Sequence, residues 1–296
     1  MRGRALSQPG LVVRAWANRG IAQLDQGPLV PFHFPRRLIR PLPGDRIVLD
    51  AQDSLIEVLP RKNEFGRGDA RGRFRAVAAN LDRAVIVIAP EPAPSPDLVH
   101  RYLAGAAIHG IEALVVVNKA DLALPETGPF ADLKDLAALG YRIVHTRCKP
   151  APDLAELPDL LGAGTSLLTG QSGVGKTSLL NALVPDLDER TGTLSQVTGK
   201  GTHTTTTATV YPVSDTATII DTPGVWEYSL WAMPPAELQR GFPEFAPLAG
   251  KCRFRDCCHN SEPGCAVRKA AENGAIPASR HAAWLRLLAE QRRLQR

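Results

Sequence analysis

The chain lacks the features of membrane and secreted proteins. None of its apolar runs approaches the roughly 20 residues that a membrane-spanning helix requires. Its first residues, Met-Arg-Gly-Arg-Ala, lack the apolar core of a secretory signal, so we expect a soluble protein of the cytoplasm. Cysteine is also scarce. Four of the five cysteines fall between Cys252 and Cys265, which favours a metal site in a reducing compartment over a disulfide framework.

Acidic residues are in slight deficit, with 30 Asp and Glu against 35 Lys and Arg, and the net charge is +5. A small positive excess suggests a polyanionic partner. The excess is concentrated: residues 61–75 contain six basic and two acidic side chains, and smaller arginine clusters occur at 36–40 and 292–296. A solvated charged surface explains any one cluster as well as a nucleic-acid site does.

The sequence pattern divides the 296 residues into three regions. Residues 1–72 contain short β segments separated by Gly and Pro, without a helical period, and predict a small all-β barrel. Residues 73–232 alternate apolar strands with helical stretches, which predicts an α/β domain with a mostly parallel sheet. Residues 233–296 are rich in proline, contain the cysteine cluster and end in a helix that begins near Ser279.

Three motifs of guanine nucleotide sites occur in an unusual order. Asn-Lys-Ala-Asp at 118–121 comes first, a Gly-x4-Gly-Lys-Thr loop at 170–177 second, and Asp-Thr-Pro-Gly at 221–224 third. Each follows an apolar strand, so all three are expected at the carboxyl edge of one sheet. The usual order begins with the phosphate loop and ends with the guanine-reading motif. The rotation therefore predicts a circularly permuted GTPase domain.

The loop at 170–177 has the composition of a phosphate loop. Its glycines let backbone amides surround phosphates, and the helix that follows adds favourable partial charge at its N-terminus. Lys176 is expected to reach the β- and γ-phosphates, and the Thr177 hydroxyl to bind magnesium. On its own this motif fits ATP as well as GTP, and a glycine-rich turn could match it by chance.

The motif at 118–121 supplies the base specificity. The Asp121 carboxylate is expected to accept hydrogen bonds from N1 and N2 of guanine; adenine lacks these donors and would leave the acceptors unpaired. Asn118 is expected to brace the base and the neighbouring loops, and the Lys119 stem to lie against the ring. A surface turn is the alternative for four residues taken alone.

The third motif marks the magnesium and γ-phosphate end of the site. Asp221 is expected to hold magnesium through water, and the Gly224 amide to sense the γ-phosphate. Many GTPases place a glutamine directly after this glycine to orient the attacking water. Val225 occupies that position here. Catalysis must then involve another residue, or the intrinsic rate is low.

A polar, glycine-flanked loop at 199–206 is the candidate for the missing catalytic group. His203 is expected to orient water or to donate to the phosphate, because histidine titrates in a suitable range. One of the next two threonines is expected to cap magnesium and the γ-phosphate. We assign Thr205 to magnesium and, with His203 and Lys176, to catalysis, and Thr204 to nucleotide contact. An exposed histidine in a disordered loop is the alternative.

Cys252, Cys257, His259 and Cys265 offer three thiolates and one imidazole within fourteen residues. This is a complete tetrahedral set for structural zinc, with no open position for a substrate. Cys258 is a spare thiol that points elsewhere or replaces Cys257. Metal binding is expected to supply the folding energy of a segment with so little core. Unrelated thiols are the alternative.

The motif order, the phosphate loop, the His203 switch and the Cys/His cluster together resemble the ribosome small-subunit-dependent GTPase A family of bacteria, over nearly the whole chain. The resemblance implies an N-terminal OB-fold, a permuted GTPase core and a C-terminal zinc domain. It also implies GTP hydrolysis stimulated by the small ribosomal subunit late in its maturation. Residues matching the family's phosphate-binding motif are Gly170, Gln171, Ser172, Gly173, Val174, Gly175, Lys176, Thr177 and Ser178.

The preferred interpretation is a GTPase, monomeric in solution, whose flanking domains dock on ribosomal RNA of the small subunit. The implied ligands are GTP or GDP, magnesium and one zinc ion. Two alternatives stay open at this point. The chain could be an RNA-binding assembly protein with little hydrolysis, or a permuted GTPase that acts on the large subunit.

Overall fold

The computed structural model describes residues 7–35, 38–184, 187, 207–223 and 228–295. Within these ranges no helix is long and apolar enough to cross a membrane. Three sheets and a C-terminal group of helices follow one another along the chain.

The N-terminal region forms a five-stranded antiparallel barrel. Its strands are β1 (Gln8–Trp16), β2 (Arg19–Leu24), β3 (Leu29–His33), β4 (Arg46–Leu49) and β5 (Leu55–Val58), in the order β3-β2-β1-β4-β5. A parallel bridge between His33 and Ser54 brings the two ends of the sheet together. Val12, Phe32 and Ile47 are fully buried inside. The strand order and the closure are those of the OB-fold.

A two-stranded hairpin, β6 (Glu64–Gly68) and β7 (Phe74–Ala79), links the barrel to the central sheet. It is bonded to the segment that follows the third motif: the Gly68 amide donates to the Ser229 carbonyl at 2.8 Å, and the Tyr228 hydroxyl donates to the Gly66 carbonyl at 2.9 Å. The hairpin spans residue 72, and the boundary between the first two domains at that residue stays a prediction.

The central sheet has six strands in the order β10-β9-β8-β11-β13-β12. They are β8 (Arg83–Ile88), β9 (Glu112–Asn118), β10 (Arg142–Thr146), β11 (Gly164–Gly170), β12 (Thr209–Pro212) and β13 (Ala217–Asp221). All pairs are parallel except β12 with β13. The helices between them are α1 (Leu98–Ile108), α2 (Leu133–Ala138), α3 (Leu157–Leu161) and α4 (Lys176–Leu183).

The chain enters this sheet at its centre. It builds β8, β9 and β10 outward to one side, then returns past β8 to place β11, β13 and β12 on the other. The crevice between β8 and β11 is therefore the topological switch point, where open α/β sheets bind ligands at the carboxyl ends of their strands. The same topology accounts for the rotated motif order, because β11 carries the phosphate loop but is not the first strand of the sheet.

The C-terminal region is helical and packs against α1. Its helices are α5 (Pro235–Gln239), α6 (Ala246–Ala249), α7 (Ala266–Glu272) and α8 (Ala278–Leu294). Two ion pairs join α8 to the start of α1: Arg101 to Glu290 at 2.6 Å and Arg286 to Asp97 at 2.8 Å. These contacts fix the long C-terminal helix against the central domain.

A buried arginine lies beneath the surface ion pairs. Arg280 is fully buried and donates to Glu244 Oε1 at 2.6 Å, and its Nη1 lies 3.1 Å from Nδ1 of His100. The other ring nitrogen of His100 lies 3.0 Å from Asp132 Oδ2. Burial, together with the positive charge of Arg280, lowers the pKa of His100 despite the opposing effect of Asp132. The imidazole is thus neutral and accepts from the guanidinium.

Loss of Arg280 should destabilise the protein strongly. Removing one partner of a buried ion pair typically costs about 3–5 kcal/mol, because the remaining charge is buried without compensation. We expect Arg280→Met to lower the free energy of unfolding in urea by that amount. The control is Arg286→Ala, since that half-exposed pair should contribute at most about 1 kcal/mol. Equal stability of the two variants would contradict this account.

Candidate nucleotide and metal sites

The three nucleotide motifs meet at the carboxyl edge of the central sheet. Asn118 is the last residue of β9, Gly170 of β11 and Asp221 of β13. Pairing registers bring these strand ends level, with Gly170 opposite Val87 of β8 and Asp221 opposite Leu168 of β11. Parallel pairing thus gathers residues separated by more than fifty positions into one cleft.

The phosphate loop depends on glycine at both of its ends. Gly170 has φ +142°, and a Cβ there would lie 2.2 Å from the Val87 carbonyl oxygen. Gly175 has φ +94°, and a Cβ there would lie 2.3 Å from Nδ2 of Asn118. Positive φ and these close approaches both exclude other residues. Helix α4 begins directly after Gly175 with Lys176.

Lys176 and Asp221 are buried side by side beneath this loop. Lys176 is 7% exposed, and its Nζ donates to the carbonyls of Gly170 and Gln171, both at 2.8 Å. Burial lowers the pKa of Lys176, against the effect of Asp221. Burial raises the pKa of Asp221 to about 6, against the effect of Lys176. Asp221 Oδ1 finds no hydrogen-bond partner in the described part of the chain.

These two side chains fit an anion and a hydrated cation. A lysine that donates only to loop carbonyls can turn to a phosphate, and an orphaned buried carboxylate oxygen is an acceptor for metal-bound water. The pKa of each group is shifted toward its neutral form, so charged ligands nearby would favour both charged forms. The donor set therefore suits a magnesium nucleotide.

Asn118 connects the base motif to the phosphate loop. Its Nδ2 donates to the Val174 carbonyl at 2.9 Å, and its Oδ1 accepts from the Thr146 hydroxyl at 3.1 Å. The Cys148 thiol lies 3.6 Å from the same oxygen. Asn118 is thus fixed from both sides and is almost fully buried. The contacts from Thr146 and Cys148 were not predicted from the sequence; the pairing of Thr146 with Asn118 between β10 and β9 reveals them.

The other predicted nucleotide residues surround this centre. Lys119 has φ +59°, and its Nζ donates to the Glu91 carbonyl at 2.6 Å. Asp121 and Thr177 are exposed at the cleft, whereas Gln171 is buried with an unpartnered Oε1 among the described atoms. Ser172, Gly173, Val174 and Ser178 lie in the loop and in the first turn of α4. His203, Thr204, Thr205, Gly224 and Val225 lie outside the described residues.

The Cys/His cluster forms a compact set of metal ligands. One ligand atom from each of four residues lies within 4.8 Å of the others; these residues are Cys252, Cys257, His259 and Cys265. His259 Nδ1 is 3.6 Å from the Cys252 sulfur and 3.5 Å from the Cys265 sulfur. Such separations suit a tetrahedral ion with metal–sulfur bonds of about 2.3 Å. The cluster could hold one ion.

Neighbouring groups orient the ligands. Nε2 of His259 lies 3.1 Å from Gln239 Oε1, an arrangement that leaves Nδ1 free to face the cluster. The Ala266 amide donates to the Cys252 sulfur at 3.4 Å, and the Arg268 amide donates to the Cys265 sulfur at 3.3 Å. Burial lowers the pKa of His259, which favours the neutral imidazole that a metal requires.

Cys258 takes no part in the cluster. Its sulfur lies 3.7 Å from the Asp256 carbonyl, and its own amide donates to Glu262 Oε1 at 3.0 Å. The Cys258 carbonyl accepts from Trp284 of α8 at 2.9 Å. Its backbone thus joins residues 252–265, which we call the metal loop, to the C-terminal helix. The thiol is spare.

The sheet, the phosphate loop and the converging motifs define a P-loop GTPase in which the order of the motifs is circularly permuted. The family model described as RsgA GTPase matches residues 58–231. The chain belongs to this family.

Relatives and solved structures agree with this assignment. The chain is 40% identical over 292 residues to the small ribosomal subunit biogenesis GTPase RsgA of Azotobacter vinelandii, covering 95% of the chain and 85% of that relative. It is 46% identical over 239 residues to the protein of the same name from Chromohalobacter salexigens, covering 79% of the chain and 69% of that relative.

The fold is similar to that of two crystal structures. YjeQ from Thermotoga maritima matches with a TM-score of 0.73 and 28% identity, over 97% of this chain and 99% of that one. YloQ, described as a circularly permuted GTPase, matches with a TM-score of 0.70 and 25% identity, over 99% and 97%. The permuted order of the motifs, predicted from the sequence, is thereby confirmed.

Proposed function

We propose that this protein binds the small ribosomal subunit and hydrolyses GTP to GDP and phosphate during late maturation of that subunit. The relatives named for small-subunit biogenesis support the partner. The observation that carries the chemistry is the convergence of Asn118, Lys176 and Asp221 in one cleft, where buried Lys176 donates to loop carbonyls and Asp221 Oδ1 has no hydrogen-bond partner among the described residues.

The nucleotide is bound from two sides. Asp121 reads the guanine, Lys119 lies along the base, and Asn118 holds the base motif against the phosphate loop. The amides of residues 170–178 surround the phosphates. Lys176 leaves the carbonyls of the loop to contact the β- and γ-phosphates, where it offsets charge that develops during hydrolysis.

Thr177, Thr205 and, through water, Asp221 would hold magnesium. When bound, the ion neutralises charge on the β- and γ-phosphate oxygens. Gly224 and Thr204 contact the γ-phosphate, so these contacts distinguish bound GTP from bound GDP. Because Val225 cannot orient water, intrinsic turnover is low and the bound subunit stimulates it.

His203→Ala should reduce turnover strongly while leaving GTP affinity nearly unchanged. A histidine that orients water or donates to the phosphate acts in the transition state, and general acid–base groups of this kind contribute about 10²–10⁴-fold. The measurement is phosphate release in the presence of small subunits, with affinity from titration of a fluorescent GDP. Parental turnover in the variant would remove His203 from the mechanism.

One zinc ion is held by Cys252, Cys257, Cys265 and Nδ1 of His259 in a structural site. Cys265→Ser should abolish stoichiometric zinc and loosen α8, because Trp284 and His281 of that helix bond to carbonyls of the metal loop. Cys258→Ser is the matched control and should retain the metal, since its sulfur points away from the cluster. Metal analysis and circular dichroism give the result; equal zinc content in both variants would contradict the ligand set.

The flanking regions dock on ribosomal RNA. We assign residues 1–72 to the OB-fold domain, 73–232 to the GTPase domain and 233–296 to the zinc domain. Exposed arginines of the hairpin β6–β7 and basic residues of the metal loop supply positive charge to both flanks. Because assembling subunits are cytoplasmic, we place the protein there, and we propose that it acts as a monomer.

The decisive experiment compares phosphate release with no ribosome, with purified small subunits and with purified large subunits. Stimulation by small subunits alone is expected. Stimulation by large subunits instead would favour the large-subunit alternative. Cosedimentation with small subunits but no stimulation would favour an RNA-binding assembly protein with little hydrolysis.

A further inference from the structure

The metal loop presents an aromatic ring to solvent. Phe254 is 41% exposed and lies among exposed charged residues in the segment 251–256, which we call the Phe254 loop. Single exposed apolar side chains are common on protein surfaces, so what the ring can bind is decided by its surroundings.

The Phe254 loop is held rigidly. Cys252 within the loop and Cys257 directly after it both belong to the ligand cluster. The Arg253 amide donates to the Gly264 carbonyl at 3.1 Å, and the Cys257 amide donates to the Phe254 carbonyl at 3.4 Å. Gly264 has φ +73°, and a Cβ there would lie 2.9 Å from Cβ of Arg253, so the two segments touch. A fixed backbone lowers the entropy lost when the ring binds a partner.

The net charge around the ring is positive. Lys251, Arg253 and Arg255 are all exposed, and none of them pairs with a carboxylate in the parts of the chain described here. Asp256 is the one acidic residue of the loop. The Arg253 guanidinium lies 5.5 Å from the centroid of the Phe254 ring.

This combination selects one class of partner. An apolar protein surface would favour further apolar residues around Phe254, and an RNA duplex would be bound through its phosphates without need of an exposed ring. Unpaired nucleotides offer both a flat base that stacks on an aromatic ring and phosphates that bind nearby cations.

We infer that Phe254 stacks on an unpaired base of RNA, with Arg253 and Arg255 binding the adjacent phosphates. This inference rests on the proposed function, because the RNA is taken to be that of the small subunit. Stacking of one base on an aromatic side chain contributes about 1–3 kcal/mol, so removal of the ring should weaken binding by about 5- to 150-fold.

The test uses the full-length, zinc-loaded protein with a non-hydrolysable GTP analogue and purified small subunits. Phe254→Ala should raise the dissociation constant at least about fivefold, Phe254→Trp should restore binding, and Phe254→Leu should not, because leucine has no stacking face. Leu124→Ala is the matched control: Leu124 is 40% exposed in the central domain, outside both flanking regions, and should be replaceable without effect. Equal metal content in all variants shows that the loop is folded.

Two results would overturn the inference while the proposed function stands. One is parental affinity of Phe254→Ala for small subunits; the other is full binding by Phe254→Leu, which would indicate an apolar contact instead.

A second measurement distinguishes the stacking role of Phe254 from the proposed small-subunit partner. A single-stranded oligoribonucleotide containing the fluorescent base 2-aminopurine should be quenched by the parent protein and by Phe254→Trp, and not by Phe254→Ala. If the parent failed to bind small subunits but quenched the oligonucleotide, the proposed partner would be wrong and the stacking role would hold. If the parent neither bound small subunits nor quenched the oligonucleotide, both the proposed partner and the stacking role would be wrong.

Discussion

Lys176→Ala should lower GTP turnover by about 10²–10³-fold, the usual effect of removing one donor from a preorganised electrostatic site. The ammonium group is already buried at the phosphate loop, where it donates hydrogen bonds to two backbone carbonyls. Its contact with the γ-phosphate strengthens as charge develops, so its loss affects the transition state more than the bound substrate.

The measurement is phosphate release at saturating GTP with small subunits present. Lys134→Ala is the control, because Lys134 is exposed on α2 and belongs to none of the three nucleotide motifs. Turnover of the Lys176 variant within threefold of the parent would show that the phosphates bind elsewhere. Loss of activity in both variants would indicate a folding defect and would be visible in the circular dichroism spectrum.

Asp121→Asn should exchange the base specificity. The carboxylate accepts two hydrogen bonds from guanine, and an amide would face one of those donors with a donor of its own. A site rejects a ligand that leaves buried polar groups unpaired by a factor on the order of 10⁴, so the variant should bind GDP far more weakly than the parent does. Xanthine carries a carbonyl in place of the amino group, so the new amide should donate to it and xanthosine diphosphate should bind.

Calorimetry with GDP and xanthosine diphosphate gives both affinities. The control is Glu126→Gln, which alters an exposed acidic residue five positions along the same loop and should leave both unchanged. Retention of GDP affinity by Asp121→Asn would mean that another acceptor reads the base.

Apolar runs predicted β8, β9, β10, β11 and β13 of the central sheet, because strands covered on both faces require apolar residues throughout. Short β segments predicted β1, β3, β4 and β5 of the barrel. The strands β2, β6, β7 and β12 were not predicted. β12 lies beside β13 at the edge of the sheet. The hairpin β6–β7 packs through Phe65 and Phe74 on Tyr228 and Trp231, residues more than 150 positions away.

The candidate site also contains residues that local patterns predict and residues that only the folded structure brings together. Local motifs indicated the phosphate loop, the guanine motif and the metal ligands, since each requires fixed residue types at fixed spacing. The supporting contacts depend on tertiary structure: Thr146 reaches Asn118 through pairing of neighbouring strands, and Gln239 reaches His259 from a separate helix. No spacing rule predicts such partners.

The bonds between the hairpin and residues 228–232 fasten the chain segment that leads into the central sheet to the segment that leads out of it. Ala232 adds a third bond, from its amide to the Gly72 carbonyl at 2.7 Å. The outgoing segment begins a few residues after Asp221, so the hairpin is bonded to the chain close to the nucleotide cleft. The permuted order of the strands thus places an arginine-bearing hairpin next to the cleft without any intervening domain.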